Sequence, residues 1–64
     1  DMGYDIMGAT VVSNEATQIT VYDLNGRQVA KSDNAATELS VDGLGAGIYV
    51  AVSKATGSTL KFQK

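Results

Sequence analysis

Three glycines stand within residues 43–47, directly before an apolar stretch, and such a loop could cradle a phosphate group. A dinucleotide-binding loop requires a helix after the glycines and an acidic residue about 20 positions further on. Here the following residues, Ile48–Val52, favour a strand, and no Asp or Glu occurs after Asp42. The glycines therefore predict a tight connection into a strand, where the backbone needs a positive φ or unobstructed space.

The acidic residues could bind a cation or work as an acid–base pair. Residues 23–26, Asp-Leu-Asn-Gly, match four positions of a calcium-binding loop, but Val21 and Ser32 stand where that loop needs carboxylates. The other carboxylates are spaced singly along the chain, which contains neither Cys nor His. This composition disfavours calcium, zinc and paired-carboxylate sites, so we expect no metal and no cofactor.

Serine nucleophiles lack a histidine base here, which leaves lysine as the partner. The two adjacent pairs, Lys31-Ser32 and Ser53-Lys54, fall in or beside strand-like segments. Neighbouring side chains of a strand point to opposite faces, so neither pair can form a catalytic dyad there. We therefore expect a protein that is not an enzyme.

Tyr22 and Tyr49 could form a stacking platform for a sugar if they share an exposed face, or they could pack across neighbouring strands. A shared face would suit a small β-sandwich adhesin or carbohydrate-binding appendage, which is the alternative function. The net charge of −2 provides no basic surface for nucleic acid. No apolar run approaches the length of about 20 residues that crosses a membrane, so we expect no direct membrane insertion.

Alternating apolar and polar residues predict the strands that would position these groups. The segment QITVYDL carries apolar residues on both faces, which places it centrally in a sheet. In TELSVD the apolar Leu39 and Val41 share a face, and in STLKFQK Leu60 and Phe62 point inward. The segment GIYVAVSK alternates in the same way, and GATVV and GYDIM read as further strands.

Turn residues separate these strands. Asn25-Gly26 predicts a hairpin with a type I′ turn, in which both central residues have a positive φ. Residues 14–18, NEATQ, could form a single helical turn. Six or seven short strands without a linker predict an all-β fold, an antiparallel β-sandwich or a small barrel, with residues 1–64 as a single domain.

A chain of 64 residues is near the lower size limit for a single hydrophobic core. Size scaling predicts a folded surface of about 3,900 Å². Because no disulfide can form, we expect marginal stability or support from a neighbouring domain, and open strand edges favour a weak homodimer. The start at Asp1 suggests a fragment of a longer precursor.

Three segments, read in order over residues 18–64, resemble the C-terminal sorting domain of the type IX (Por) secretion system of Bacteroidetes. The first is the hairpin motif Y-D-x-x-G-R-x-V, and the second is L-x-x-G-x-Y before a strand. The third is a closing strand that carries lysines. Residues 1–17 match less well and form an uncertain border. The motif residues are Tyr22, Asp23, Gly26, Arg27, Val29, Leu44, Gly47 and Tyr49.

The resemblance implies an address label on an N-terminal cargo domain. Its implied partners are the outer-membrane translocon, shuttle and sortase proteins of the export system. The cargo would pass through the periplasm to the cell surface or the exterior, where the sortase removes the label. The resemblance also implies the sandwich in place of the barrel, so the expected fold is all-β, a small antiparallel Ig-like β-sandwich of about six or seven short strands.

Two expectations concern how such a label is built and recognised. Gly43 and Gly45 should let the chain reverse so that Leu44 points to the core, and Gly47→Val should hinder folding and export. We expect the export machinery to bind the last segment, with Lys61 and Lys64 facing solvent. That segment comprises Leu60, Lys61, Phe62, Gln63 and Lys64.

Overall fold

Seven strands form all of the regular structure in the computed structural model, which describes residues 1–64. None of its elements is a helix that could span a membrane. Because all seven elements are strands, the all-β prediction is confirmed. In chain order the strands are β1 (Met2–Asp5), β2 (Thr10–Thr17), β3 (Ile19–Asp23), β4 (Gln28–Lys31), β5 (Ala36–Ser40), β6 (Ile48–Ser53) and β7 (Thr59–Gln63).

The strands form two antiparallel sheets that pack into a small sandwich. One sheet has the order β1-β2-β5 and the other the order β4-β3-β6-β7. The chain crosses from the first sheet to the second at Gln18, the single residue between β2 and β3. Across the sandwich, β1 contacts β7 and β5 contacts β3. The central position predicted for the QITVYDL segment is confirmed, because β3 lies between β4 and β6.

The core lies between the sheets and is built from small and β-branched side chains around one aromatic ring. Four of its residues, Val11, Ile19, Val21 and Ala51, are completely buried. The total accessible surface of 3927 Å² agrees with the expectation from chain length. The core cluster comprises Val11, Ile19, Val21, Val41, Ala51 and Phe62.

Strand β6 alternates as predicted, and its inner face carries Tyr49, Ala51 and Ser53. Ala51 is paired with Val21 on β3 and with Leu60 on β7, and it is completely buried. Ile48, on the other face, is 38% exposed. The register therefore places the larger β-branched residues of β6 on the outer surface of the four-stranded sheet.

Two local predictions are wrong. Residues 14–17 belong to β2 and form no helical turn, since Thr17 pairs with Ala36 across an irregularity that follows Val12. The β3–β4 hairpin is present, but its turn is not type I′. Of its loop residues only Gly26 has a positive φ, 83°, so the loop is a three-residue turn that ends in a left-handed glycine.

The sandwich has two dissimilar ends. The Lys64 end carries residues 6–9, 24–27 and 42–47, and Lys64 itself. The Gln18 end carries the crossover and the loops at 32–35 and 54–58. Strand β1 begins toward the Gln18 end and runs to the Lys64 end. The first and last residues of the chain are therefore directed toward opposite ends.

Candidate recognition surface at the last strand

Strand β7 is an edge strand of the four-stranded sheet. It pairs with β6 on one side and has no strand neighbour on the other. Leu60 is half-buried and Phe62 buried, which confirms that both point inward. Lys61 and Gln63 are exposed. An edge strand presents unpaired backbone groups, so β7 combines an anchored inner face with an edge that pairs with no other strand.

Phe62 anchors β7 to both sheets. Its ring stacks on Tyr4 of β1 with the centroids 4.6 Å apart, and it packs at a tilt against Tyr49 of β6 with a centroid distance of 5.8 Å. Aromatic pairs at these separations add to the free energy gained from burial alone. Phe62 is therefore a packing residue, buried away from any binding partner.

Lys64 is bound to the loop before β6 by four hydrogen bonds. Its backbone N–H donates to the Gly47 carbonyl at 2.7 Å, and the Gly47 N–H donates to the Lys64 carbonyl at 3.0 Å. Its Nζ donates to the carbonyl oxygens of Asp42, at 3.0 Å, and Leu44, at 2.6 Å. The prediction that Lys64 faces solvent is wrong, because the ammonium group is directed at these carbonyls. The same prediction for Lys61 is confirmed.

The motif of residues 44–49 holds the last strand in place. The Leu44 side chain packs against the core as predicted, and its N–H donates to the Val41 carbonyl at 3.0 Å to close a turn. The Tyr49 hydroxyl donates to the Gly45 carbonyl at 2.7 Å while its ring packs on Phe62. The motif thus fixes the loop to which Lys64 binds.

Gly43 and Gly45 of this loop are not required for the chain reversal that was predicted to need them. Gly43 and Gly45 have no positive φ, and a Cβ at either would meet nothing within 4 Å. Gly47 has a φ of 159°, at the limit of the range that side chains rarely adopt, and a Cβ there would make ordinary contacts at 3.7 Å with Tyr49, so the effect of Gly47→Val stays a prediction. The expectation that Gly43 and Gly45 are needed for the chain reversal is therefore wrong.

The hairpin motif of residues 22–29 is organised by one carboxylate. Asp23 Oδ1 accepts hydrogen bonds from the backbone N–H groups of Asn25, at 2.9 Å, and Arg27, at 3.0 Å. The exposed Arg27 side chain lies 3.4 Å from the other oxygen, Oδ2. The hydrogen bond from the Arg27 backbone is the main cause that lowers the pKa of Asp23. Val29 packs against the core.

The sugar-platform alternative fails on geometry. Tyr22 is paired with Val50, whereas Tyr49 is paired with the next residue of β3, Asp23. Adjacent positions of a strand face opposite sides, so the two tyrosine rings lie on different faces of the sheet. No shared stacking surface exists.

Buried hydroxyl groups form a network that the sequence analysis missed. Thr17 Oγ1 accepts hydrogen bonds from Ser53 Oγ, at 3.1 Å, and from the Ala55 N–H, at 2.9 Å. Ser32 Oγ accepts from the Ile19 N–H at 2.9 Å and donates to the Asn34 carbonyl at 2.8 Å. Alternation marks these positions as inward, but it does not identify their partners.

The adjacent serine–lysine pairs are separated as predicted. Ser32 and Ser53 are buried, while Lys31 and Lys54 are exposed. The chain forms no cluster of His, Cys, Asp or Glu that could hold a metal ion, and its surface has no pocket.

Comparison with known proteins agrees with this architecture. Residues 4–64 match the family described as "Secretion system C-terminal sorting domain", so the match includes β2 and most of β1 as well as the motif strands. No curated protein and no solved structure matches the chain.

Members of this family are sorting signals of type IX secretion in Bacteroidetes, and they direct an attached N-terminal cargo to the cell surface or the exterior through the secretion machinery. The motif of residues 44–49 holds β7, the hairpin motif of residues 22–29 joins β3 to β4, and the match extends over nearly all of the sandwich. The chain therefore belongs to the secretion-system C-terminal sorting domain family.

Proposed function

We propose that the export machinery recognises this domain at β7, through the segment Leu60–Lys64. The observation that carries the proposal is the combination found only at this edge: β7 is fixed by Phe62 and by the four hydrogen bonds of Lys64, yet its outer edge has no strand neighbour. A fixed edge strand can accept a further strand from a partner without ordering itself first.

The residues of the segment have different roles in this proposal. Leu60 and Phe62 face the core and set the position of the strand. Lys61 and Gln63 are exposed and supply the side chains that a partner strand would meet. Lys64 holds the end of the strand against the loop. The opposite edge strand, β4, carries the exposed Lys31 on the same sheet face as Lys61.

We further propose that the domain acts by being recognised and carries out no reaction. Its two buried serines that adjoin lysines are engaged in hydrogen bonds and face away from those lysines. The route would be transit through the periplasm, passage through the outer-membrane translocon, transfer by shuttle proteins and removal by a surface sortase. The 64 residues would act as one unit, because β1 and β2 supply two of the three strands of one sheet.

The test reverses one charge on each edge of the same sheet. A folded reporter fused to this domain is expressed in a host with type IX secretion, and its export rate is measured. Lys61→Glu should lower the export rate by about tenfold, an amount that corresponds to about 1.4 kcal/mol of binding free energy. Lys31→Glu is the matched control, and it should export at the wild-type rate.

Equal export of both variants would contradict recognition at β7. Deletion of residues 62–64 is a less specific test, because it removes the core residue Phe62 together with the edge. Sedimentation of the isolated domain at several concentrations checks the weak homodimer. Dimerisation that Lys61→Glu abolishes would place the dimer contact at the same edge.

A further inference from the structure

Most of the large apolar side chains that the fold leaves exposed lie at the Lys64 end. Ile6 is 75% exposed, Met7 94% and Leu24 63%, and the partly exposed Ile48 begins β6 at the same end. The remaining one, Val12, lies within β2. Single exposed apolar residues are ordinary, but a concentration at one end of a domain marks an interaction surface.

The two most exposed of these residues form the tip of the β1–β2 hairpin, and this tip is held in one conformation. Asp5 Oδ1 accepts hydrogen bonds from the N–H groups of Met7, at 3.1 Å, and Gly8, at 3.3 Å. The carbonyl of Ala9 accepts from the Val41 N–H at 2.8 Å, with Ala9 in a left-handed conformation at φ 47°. Ile6 and Met7 are therefore presented as a fixed apolar prong.

The surroundings of the prong decide which occupant fits it. The cargo lies on the N-terminal side, and β1 enters from the Gln18 end, so the prong is directed away from the cargo. Asp5 lies at the base of the prong, and Asp42 directly follows Val41, whose N–H binds the carbonyl of Ala9. The cations of this end are engaged, since Arg27 lies against Asp23 and Lys64 binds carbonyls. This charge pattern opposes an anionic lipid surface.

A second copy of the chain does not fit the prong either. Two tips brought together would place their Asp5 carboxylates beside one another, and each chain already carries a net charge of −2. The remaining occupant is a different protein that offers an apolar cavity. Met7 suits such a contact, because its flexible, polarisable side chain adapts to the shape of the cavity.

We propose that Ile6 and Met7 insert into an uncharged apolar pocket of a protein of the export machinery, as a second contact separate from β7. This inference rests on the proposed function, since it assumes that the machinery binds the folded domain. It assigns a binding role to residues that precede both sequence motifs.

The experiment compares three fusions of the domain to the folded reporter: wild type, the double variant Ile6→Thr/Met7→Gln, and the control Val12→Thr. All three should unfold at the same temperature in a circular dichroism melt, because the altered side chains are exposed. The double variant should be exported about tenfold more slowly or worse, as expected when two buried apolar contacts are lost. The control should match the wild type.

The outcomes separate the two proposals. Export of the double variant at the wild-type rate overturns the pocket contact and leaves recognition at β7 intact. A wild-type fusion that is not exported overturns recognition of the domain itself, and the pocket with it. Two binding assays use the 64-residue chain. The first measures pelleting with phosphatidylglycerol vesicles, and the second measures dimers by sedimentation velocity. If the wild type pellets or dimerises and the double variant does not, the proposal of a pocket in a partner protein is overturned.

Discussion

Loops close over the small core at both ends of the sandwich, but different kinds of side chain hold them in place. At the Gln18 end, buried hydroxyl groups of Thr17, Ser32 and Ser53 bind loop backbone groups or one another. At the Lys64 end, aromatic rings and the Lys64 ammonium group hold the chain, and apolar side chains are left exposed outside it.

The polar side chains of the Gln18 end stabilise the fold, whereas the Lys64 end leaves apolar side chains exposed to solvent. Every polar side-chain atom buried in the structure has a hydrogen-bond partner. The loops of the Gln18 end expose no large apolar side chain. A domain this small gains little stability in excess, so the exposed apolar groups of the Lys64 end are tolerated at a cost in solubility.

Phe62→Ala should have the largest effect, because it removes the ring that joins the sheets at the Lys64 end. Truncation of a buried Phe costs about 3–5 kcal/mol, enough to unfold a domain of marginal stability. Urea denaturation followed by circular dichroism measures the loss. Leu24→Ala, an exposed apolar truncation at the same end, should have an unfolding free energy within about 0.5 kcal/mol of the wild type. If both variants lose the same unfolding free energy, the ring stack makes no particular contribution to stability.

Thr17→Val tests the Gln18 end with almost no change of shape. It leaves the Ala55 N–H and the Ser53 hydroxyl without their acceptor, which should cost about 1–3 kcal/mol of unfolding free energy. The same denaturation experiment measures it. Thr20→Val is the matched control, since Thr20 belongs to β3 and makes no side-chain hydrogen bond that is buried. Similar stabilities of the two variants would contradict a structural role for the hydroxyl network.

Lys64→Met should have a smaller effect. It keeps the length of the side chain and removes both hydrogen bonds to the carbonyls of Asp42 and Leu44, at a cost of about 0.5–1.5 kcal/mol. Hydrogen exchange of the Gly47 amide reports whether the last strand opens more often. Lys61→Met is the control, because that side chain is exposed. Faster exchange of the Gly47 amide in both variants would contradict a specific role of Lys64 in holding the last strand.

Asp23→Asn should produce the smallest effect, one visible mainly in the dependence of stability on pH. The folded-state pKa of Asp23 is lowered, so its contribution is present above the ordinary pKa of about 3.9 and is lost as the pH falls through the lower folded value. The wild type should therefore lose stability in that acid range more steeply than the variant. Thermal melts from pH 2 to 7 measure this, with Asp33→Asn as the control; parallel curves for the wild type and Asp23→Asn would refute it.

The sequence predicts the parts of the fold that depend on alternation. The inward direction of Leu60 and Phe62, and the central position of β3, follow from side-chain periodicity. Periodicity does not say which face of β6 is buried. That depends on cross-strand pairing, in which Ala51 lies between the inward-facing Val21 and Leu60.

The details that the sequence did not predict depend on a side chain binding a distant or competing backbone group. Asn25-Gly26 favours a type I′ turn on its own, but the carboxylate of Asp23 captures the N–H groups of Asn25 and Arg27 and selects a different turn. Likewise, Lys64 has the appearance of a solubilising end residue. Its binding to Asp42 and Leu44 exists only after β5, β6 and β7 have assembled.

The stack of Tyr4 on Phe62 joins the first strand of the domain to its last. Closing a loop of nearly the whole chain must precede this contact, so folding of the sandwich is slow compared with helical domains of equal size. The ring that completes the core is also supplied by β7, the strand of this domain that is synthesised last. We therefore expect a nascent domain to lack a complete core until β7 has been made.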